Sequence, residues 1–467
     1  MFQHVLCVYP YRKDLKKFRF IPPLGLELIG KVIEPYARSI DILDLRYESN
    51  RISDFVRPET DMICFSVNWQ RRVEQLRDEI MSVPPDIFTI LGGRHATEDP
   101  EGWLRSCPNV DAVVRGDGEE VMEDICKGVP LENIAGLSYR NGDGIIHNPV
   151  RKLGPFKDQL YPNRKLRRYT YEIELQNIST GVEFDMFSAS RGCPFNCTFC
   201  SFNFNPWGEK RNWSGRSPES VVEELAQIKA SLVGFTDEVF THDMDRVERI
   251  CDLILDRGIR KKYVINARLE VAKRPDVIRK MELAGFAMLL LGIESAQDKT
   301  LRSMRKGFNT DKIREYFEVL RDRPLLLHGY FIVGNIGESV AEMEQILPFA
   351  RELGLDTVNL SLLRNSPHSG LDEMVAQNPN YHITPTGKIY SDHCSMGELK
   401  KLRLKMSKEF YTKSQYLRIL NKMRRAGLLK LFLSPRSSHP ARFVFSLLKA
   451  QLANHRQCVT AGAADRS

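Results

Sequence analysis

The first third of the chain alternates short apolar runs with segments of helical spacing. Segments such as Leu24–Val32 and Arg72–Met81 carry apolar residues at helix-compatible intervals. Around them lie five runs rich in Val, Ile, Leu and Phe, roughly 20–35 residues apart, at Val5–Val8, Ile40–Leu43, Met62–Val67, Phe88–Leu91 and Ala112–Val114. Strands that alternate with helices predict an α/β fold, here a doubly wound parallel-sheet (Rossmann-like) domain over residues 1–145.

After a connector rich in Pro and Gly at residues 146–182, the alternation resumes with longer units. Ser217 and Pro218 open a helix with the expected N-cap and first-turn signals. Six strands are predicted, at Met186–Ser190, Leu232–Phe235, Tyr263–Ala267, Met288–Leu291, Tyr330–Val333 and Val358–Leu362. Six parallel strands are too few to close an eight-stranded barrel, so residues 183–395 are expected to form a partial (β/α)6 TIM-type barrel.

The last segment, residues 396–467, reads as a basic amphipathic helical tail. From residue 391 onward the chain has 16 Lys and Arg against 4 Asp and Glu, although the whole chain carries only +8. Basic amphipathic helices are typical of membrane-surface or anion contacts, but they also pack on a domain with their cations in water. Both interpretations stay open. RNA binding ranks below them because no RNA-binding module is recognisable, so no nucleic-acid partner is expected.

Composition narrows the class of protein. The 467 residues are 42% hydrophobic and 27% charged, which is typical of a globular domain protein. The longest apolar runs, such as Ala287–Leu291, are far too short to span a bilayer, and the N-terminus has no signal-peptide pattern. Ten cysteines scattered along the chain suggest a reducing compartment. A cytoplasmic protein is expected, with a peripheral membrane contact through the tail as an option.

One cluster of cysteines departs from this scatter. Cys193, Cys197 and Cys200 follow the spacing C-x3-C-x2-C directly after the first predicted barrel strand. Three thiolates on one loop can hold three irons of a four-iron cluster and leave the fourth iron open to another ligand. Structural zinc is the alternative, but it requires four ligands, and Cys251 and Cys394 are isolated. An open iron–sulfur cluster is therefore predicted.

The run Cys193-Pro194-Phe195-Asn196-Cys197-Thr198-Phe199-Cys200 resembles the signature of the radical S-adenosylmethionine (SAM) superfamily. The resemblance extends over roughly residues 183–395. It implies a [4Fe–4S] cluster held by Cys193, Cys197 and Cys200, with the amino and carboxylate groups of SAM on the fourth iron. One-electron cleavage of SAM would then give a 5′-deoxyadenosyl radical that abstracts hydrogen from the substrate.

Polar residues follow the predicted barrel strands, where barrel chemistry concentrates. The resemblance favours Glu294, within Gly292-Ile293-Glu294-Ser295, and Arg268 as SAM contacts, and it suggests that Phe199 covers the adenine edge. Arg216 is a weaker candidate, and Glu338 is expected to be an acid stabilised at a helix N-terminus. Aromatic residues that either line a pocket or pack in the core are Tyr9, Trp69, Phe202, Phe204, Trp207 and Trp213.

The N-terminal domain resembles the cobalamin (B12)-binding domain that precedes many radical SAM cores. The segments that carry the resemblance are Pro22-Pro23-Leu24-Gly25-Leu26, Leu91-Gly92-Gly93-Arg94-His95 and Val114-Arg115-Gly116-Asp117-Gly118-Glu119. The resemblance implies a cobalamin site at Gly92, Gly93, Gly116 and Gly118. The D-x-H-x-x-G motif that supplies a cobalt ligand in many such domains is absent, so cobalt without a protein histidine is expected. His95, after the fourth strand, is interpreted as a pocket or surface residue.

Together these features predict a radical SAM enzyme that resembles the lipid- and tetrapyrrole-modifying group, including hopanoid methylases and the anaerobic magnesium-porphyrin cyclase. The leading reaction is cobalamin-dependent methyl transfer to an unactivated carbon of a small or lipidic substrate. Cyclisation or oxidation without methylation is the alternative, and a non-catalytic cobalamin or SAM sensor is the alternative of another class. An electron donor such as flavodoxin or ferredoxin is the expected protein partner.

Overall fold

The computed structural model describes residues 1–12, 19–69, 72–175, 178–201, 204–205 and 208–433. The chain divides into two compact units, the first covering residues 1–172 and the second beginning at Ile173.

The first unit is built on a seven-stranded sheet of order β2-β1-β3-β4-β5-β6-β7. Its strands are β1 Phe2–Tyr9, β2 Ala37–Asp44, β3 Thr60–Ser66, β4 Phe88–Gly92, β5 Ala112–Val114, β6 Leu137–Asn141 and β7 Gly144–His147. Its helices are α1 Leu24–Ile33, α2 Val73–Met81, α3 Arg94–Glu98, α4 Pro100–Ser106 and α5 Gly118–Cys126. The first five strands are parallel, as predicted. The antiparallel pair β6–β7 extends the sheet beyond the prediction.

The second unit contains a curled seven-stranded sheet of order β16-β15-β14-β13-β12-β9-β8. Its strands are β8 Glu172–Leu175, β9 Ile178–Phe187, β12 Leu232–Phe235, β13 Lys262–Ala267, β14 Phe286–Glu294, β15 Leu326–Val333 and β16 Thr357–Leu362. Two small antiparallel pairs join β10 Ser190–Arg191 with β11 Ser214–Gly215, and β17 Tyr381–Ile383 with β18 Ile389–Ser391. Strands β9 and β12–β16 are parallel, which confirms the six-stranded partial barrel.

The helices of the second unit are α6 Pro218–Gln227, α7 Met244–Asp256, α8 Pro275–Ala284, α9 Asp298–Ser303, α10 Thr310–Leu320, α11 Val340–Glu344, α12 Ile346–Glu352, α13 Leu371–Ala376, α14 Met396–Phe410, α15 Lys413–Arg425 and α16 Leu428–Leu433. Ser217 caps α6 by accepting a hydrogen bond from the Ser220 amide, as predicted. The main core lies between the outward face of the sheet and the buried faces of these helices. The first barrel strand, β9, begins at Ile178, inside the segment predicted to be a connector.

The described part of the basic tail packs on the barrel. Leu399, Met406 and Phe410 of α14 are each about 1% exposed and belong to the barrel core. The Lys422 ammonium of α15 is buried and donates to the carbonyl oxygens of Arg321, Arg323 and Leu325 at 2.7, 2.9 and 3.2 Å. The apolar spacing of α14 is therefore explained by packing, whereas the buried residue of α15 is Lys422. The second apolar stretch of the tail, residues 443–448, lies outside the described residues.

A helix with both the length and the apolar character needed to cross a membrane does not occur in the described part of the chain.

Candidate active site

The cysteine loop leaves the end of the first barrel strand through a tight turn at Gly192. The short pair β10–β11 closes the base of this loop. Gly192 has φ +85°, and a Cβ atom there would lie 2.4 Å from the Asn212 carbonyl oxygen. Only glycine fits this turn, since both the backbone angle and the space exclude a side chain.

Two acids at the end of β12 hold the start of the loop. The fully buried Asp237 accepts hydrogen bonds from the Ser190 hydroxyl at 2.5 Å and from the Ala189 amide at 3.0 Å. Burial raises the pKa of Asp237 to about 6, although these hydrogen bonds oppose the shift. Glu238 accepts from the Gly192 amide at 3.1 Å, and burial raises its pKa as well.

The far end of the loop is tied to the turn after α9. The Thr198 amide donates to the Met304 carbonyl oxygen at 3.2 Å, and the Thr198 hydroxyl donates to the Ser303 carbonyl oxygen at 3.2 Å. Phe199 packs against the small apolar cluster that contains Met304 and Ile332. Phe199 is thus anchored in the second unit, close to the carboxyl ends of the strands.

The three cysteine thiols are half-buried on this anchored loop. Burial raises the pKa of the Cys193 thiol, and the neighbouring Cys197 adds to this effect. A bound metal cation would favour the thiolate form. Among the residues that the structure describes, no group of three His, Cys, Asp or Glu side chains converges to hold a single metal ion. A closed zinc site takes four protein ligands, whereas a four-iron cluster can take the three thiolates on three different irons. The donor set fits a cluster.

Arg268, at the end of β13, reaches the cysteine loop through an aromatic ring. Its guanidinium lies 3.7 Å from the centroid of the Phe195 ring. It also pairs with both carboxylate oxygens of Glu270, at 2.9 to 3.3 Å, and donates to the Lys306 carbonyl oxygen at 2.6 Å. Burial alone would raise the pKa of Glu270, but the Arg268 pair outweighs it and lowers that pKa. Arg268, a predicted SAM contact, is therefore close to the cysteine loop and already forms an ion pair with Glu270.

Glu294 ends β14 in a conformation that is rare for its residue type. Its φ is +75°, and the pairing of β14 with β15 shifts register between Gly292 and Glu294. A left-handed non-glycine residue costs roughly 1–2 kcal/mol and often marks a functional position. The carboxylate accepts from the Lys306 ammonium at 3.2 Å, and the two side chains are 10% and 6% exposed. A Cβ atom on Gly292 would lie 2.7 Å from this carboxylate.

Lys306 is a residue that sequence patterns did not identify. Its ammonium also lies 5.8 Å and 5.5 Å from the ring centroids of Phe199 and Phe308. Together with Arg268 it places two cations beside two carboxylates and three aromatic rings at the carboxyl ends of β13 and β14. Such a set can bind a zwitterionic ligand with an aromatic base. The only local sequence signal was the run of basic residues Arg305-Lys306 followed by glycine.

Glu338 differs from its predicted role. It precedes the capping box of α11, which Ser339 and Glu342 form, and so is not a first-turn acid of that helix. Instead, its buried carboxylate accepts from the Ser295 hydroxyl at 2.8 Å and the Asn335 amide at 2.9 Å. Burial raises its pKa. Glu338 thus joins the ends of β14 and β15.

Three further candidates have contacts within the second unit. Arg216 is fully buried in an ion pair with Glu224, so its guanidinium is engaged within the barrel wall. Trp213 packs edge-on to the His242 ring at 4.9 Å, and Phe204 lies 6.5 Å from the His368 ring. Phe202 and Trp207 lie outside the described residues.

In the first unit the predicted glycines lie at the carboxyl ends of β4 and β5. Gly93 has φ +96°, and a Cβ atom there would lie 2.6 Å from the Asn68 amide oxygen and 2.8 Å from the Val67 carbonyl oxygen. Gly118 begins α5, where a Cβ atom would lie 3.0 Å from Ile29. Packing thus explains these two glycines. At Gly92 the nearest atoms to a Cβ would lie 3.9 and 4.0 Å away, and Gly116 has φ +90°.

Aromatic side chains extend this edge. The Tyr11 hydroxyl accepts from the Asn68 and Trp69 amides, and the Trp69 indole donates to the Tyr9 hydroxyl at 3.3 Å. The Trp69 side chain is 53% exposed, so one large ring is presented to ligand or solvent. His95 is buried edge-on against Trp103 at 5.7 Å, and burial lowers its pKa. It is therefore not a surface residue.

Comparison with known protein families matches both units. Residues 187–350 match the model of the radical SAM superfamily, and residues 19–126 match that of the B12-binding domain. This chain is a radical SAM enzyme with a B12-binding domain. Its cofactors are accordingly a [4Fe–4S] cluster, SAM and cobalamin.

Relatives of this radical SAM enzyme include methyltransferases and a cyclase. An uncharacterised methyltransferase of Pyrococcus horikoshii is 27% identical over 85% of this chain and 89% of its own length. The hopanoid C-3 methylase of Methylococcus capsulatus is 27% identical over 79% of this chain and 71% of its own. The anaerobic magnesium-protoporphyrin IX monomethyl ester cyclase of Cereibacter sphaeroides is 29% identical over 62% of this chain and 49% of its own.

Solved structures share the fold of this radical SAM enzyme. The cobalamin-dependent SAM radical enzyme OxsB, with aqua-cobalamin and SAM bound, superposes with a TM-score of 0.68 over 97% of this chain and 75% of its own, at 14% identity. The radical SAM methyltransferase TsrM from Kitasatospora setae, with cobalamin and a [4Fe–4S] cluster bound, superposes with a TM-score of 0.64 over 82% and 76%, at 16% identity. At such identities the likeness concerns architecture alone.

Proposed function

We propose that this enzyme transfers a cobalamin-borne methyl group to an unactivated carbon of a small or lipidic substrate after hydrogen abstraction. The observation that carries the proposal is the presence, in one chain, of three thiols on an anchored loop and a B12-binding domain. Relatives named as a methyltransferase and a hopanoid methylase support methyl transfer. When bound, the cluster and SAM supply hydrogen abstraction, and cobalamin supplies the methyl group.

We further propose the roles of the site residues. Cys193, Cys197 and Cys200 hold the cluster, and the hydrogen bonds of Gly192 and Thr198 keep their loop in place. Phe199, Arg268 and Glu294 contact SAM. The two charged groups lie near the loop with compensating partners, so binding exchanges an internal ion pair for one with the ligand.

The cobalamin site proposed for the first unit comprises Gly92, Gly93, Gly116 and Gly118. Bare backbone at the carboxyl ends of parallel strands allows close approach of a large ligand. The residues after β1 include no histidine, so we expect cobalt without a protein nitrogen ligand. The proposed domain boundaries remain 1–145 for this domain, 183–395 for the radical SAM core and 396–467 for the tail.

A reaction without net methylation is the second candidate. Its support is the similarity to a magnesium-protoporphyrin cyclase, which the chain matches over about half of that protein's length. In either reaction an external one-electron donor such as flavodoxin or ferredoxin reduces the cluster. Scattered cysteines favour a cytoplasmic location.

Peripheral membrane contact by the tail is proposed on charge alone. Leu417 is 68% exposed on α15 among basic residues, while most apolar residues of α14 face the barrel. Binding of the full chain to vesicles should rise with the fraction of anionic lipid and fall with salt. Equal binding to neutral vesicles, or none to anionic ones, would leave the tail as barrel structure.

Anaerobic reconstitution tests the main proposal. Wild-type protein should bind one four-iron cluster, bind cobalamin with the spectrum of cobalt lacking a protein nitrogen ligand, and pass labelled methyl from SAM to product. The triple variant Cys193→Ala/Cys197→Ala/Cys200→Ala should lose iron and SAM cleavage, whereas Cys126→Ala, in the first unit, should keep both. Iron retained in the triple variant, or a histidine-ligated cobalt signal, would contradict the assignment.

A further inference from the structure

The inward face of the barrel sheet differs in polarity from one strand to the next. Alternate residues of each strand are buried against the outer helices, as Leu327, Phe331 and Val333 of β15 are, so the residues between them face inward. The inward residues of β15 are His328, Tyr330 and Ile332, and those of β16 are Thr357, Asn359 and Ser361. Those of β14 are Met288, Leu290 and Gly292.

Polar groups form a continuous patch across β15 and β16. Tyr330 pairs in register with Asn359, and His328 pairs with Thr357. The Nδ1 atom of His328 is 2.7 Å from the Thr357 hydroxyl, and its ring meets the Tyr330 ring edge-on at 4.8 Å. The His328 ring is therefore held in one orientation, with Nε2 directed elsewhere.

Hydrogen-bonding capacity is left over on this patch. Within the described residues, the Tyr330 hydroxyl and the Nε2 atom of His328 have no hydrogen-bond partner. Asn359 and Ser361 are exposed, and the contact from the Ser361 hydroxyl uses only the amide oxygen of Asn359, at 3.4 Å. A phenol hydroxyl, an imidazole nitrogen and an amide NH2 group are thus available for hydrogen bonds at neighbouring positions.

The patch is uncharged. Burial lowers the pKa of His328 to about 4, so its ring is neutral near pH 7, and burial raises the pKa of Tyr330. The inward positions of β15 and β16 include neither Lys nor Arg. The nearby cations, Arg268 and Lys306, are paired with carboxylates. An anion on this patch would lack a compensating charge, whereas an uncharged oxygen would be satisfied.

Beside the polar patch the inward face of β14 is apolar, and on β13 the polar Asn266, which pairs in register with Leu290, already donates its amide to the Asp237 carbonyl oxygen at 3.0 Å. Tyr330 pairs in register with Gly292 on its other side, and His328 pairs with Leu290. The next inward residue of β14 is Met288, and its register partner on β13 is Val264. At Gly292 the Glu294–Lys306 pair takes the place of a side chain, because a Cβ atom there would lie 2.7 Å from the Glu294 carboxylate and 3.2 Å from the Lys306 ammonium. The apolar surface of β14 is therefore that of Leu290 and Met288. Flat or extended apolar groups can lie over β13 and β14 while an attached polar group reaches β15.

We propose that the substrate is an amphipathic molecule whose uncharged oxygen group, a hydroxyl or carbonyl, is bound by His328, Tyr330 and Asn359 while its carbon skeleton lies over β13 and β14. The inference rests on the proposed function, since it takes the inward face as the substrate site. It adds the chemical class of the substrate and the residues that select it.

The first experiment sorts substrates by charge. A small-molecule extract of the source cells is split on an anion-exchange resin at neutral pH, and each fraction is added to reconstituted full-length enzyme with [methyl-13C]SAM. The uncharged fraction should stimulate 5′-deoxyadenosine formation and yield the labelled compound. Stimulation by the anionic fraction alone, or by neither, would overturn the inference. Stimulation by the uncharged fraction without label would refute methyl transfer and leave this inference standing.

The second experiment uses the compound so found. Tyr330→Phe and Asn359→Leu should each raise its KM about tenfold, as expected for loss of one hydrogen bond to the substrate, with a smaller change in kcat. Tyr390→Phe removes a hydroxyl from a half-buried tyrosine of the β17–β18 pair and should change KM less than twofold. Iron and cobalamin contents confirm that each variant is folded. A KM within twofold of wild type in both inward variants would refute the assignment.

Discussion

The buried pair of Lys306 and Glu294 supports a quantitative prediction. The Lys306→Met substitution removes the ammonium but keeps an unbranched side chain of similar length, so the change is mainly one of charge. Glu294 then remains 10% exposed, with no partner for its carboxylate at the position where Lys306 lies 3.2 Å away. The carboxylate cannot be solvated without moving the end of β14.

Breaking a buried ion pair by removing one partner costs about 3–5 kcal/mol, because the remaining charge stays desolvated. In a unit of this size, 1 kcal/mol shifts Tm by about 2–4 °C, so Tm should fall by roughly 6–20 °C. The double variant Lys306→Met/Glu294→Gln removes both charges and should recover most of this loss. The expected coupling between the two positions is about 2–3 kcal/mol.

Thermal unfolding of cluster-free protein at one scan rate measures the effect without iron chemistry. Lys312→Met is the matched control, because Lys312 forms an exposed pair with Glu315 on α10. Its loss should change stability by less than about 1 kcal/mol. The reasoning is refuted if Lys306→Met melts with the wild type, or if the double variant is as unstable as the two single changes added together.

Three further predictions address the anchors of the fold. Gly93→Ala should destabilise the first unit by about 2 kcal/mol more than Gly128→Ala. Both glycines have positive φ, but only at Gly93 would a Cβ atom meet backbone and amide oxygens within 3 Å. Equal Tm values of the two variants in thermal melts would contradict this. For Asp237, the raised pKa of about 6 means that its contribution to stability is present below about pH 4 and lost as pH rises through 6. Asp237→Asn should therefore flatten the Tm profile between pH 4 and 6, and an unchanged profile would argue against a raised pKa. Lys422→Met leaves three carbonyl oxygens without their donor and should lower Tm by several degrees. Lys413 is exposed, so Lys413→Met should leave Tm unchanged. Identical melting curves of the two variants would mean that α15 does not pack on the barrel as described.

Some features follow from local sequence alone. The parallel strands β1–β5, β9 and β12–β16 were predictable because each contains a short apolar run bounded by turn residues, and that pattern depends only on neighbours in the chain. The cysteine spacing was sufficient to predict a cluster loop, since three thiols within eight residues have few other uses. The N-cap of α6 and the parallel arrangement of the first five strands were likewise predictable from local sequence.

Other features depended on contacts between distant segments, which local patterns do not record. Lys306 was not recognised because a lysine after a helix usually lies in water, and only packing of Phe199 and Phe308 around it shows otherwise. Glu338 was assigned to a helix terminus because Ser295, 43 residues earlier, could not be placed beside it. The antiparallel pair β6–β7 was missed because the prediction followed the alternation of strand and helix.

The basic tail is the clearest case in which local sequence could not decide between two environments. Its amphipathic spacing is compatible with a membrane or with a protein surface, because both offer an apolar face. Tertiary structure decides for α14, since Leu399, Met406 and Phe410 complete the barrel core. The polarity of the inward barrel face is likewise a property of register: His328, Tyr330 and Asn359 are separated in the chain and become one patch only when β15 and β16 pair. Sequence determined the elements and the cluster motif, whereas long-range pairing decided which charged and polar groups share an environment.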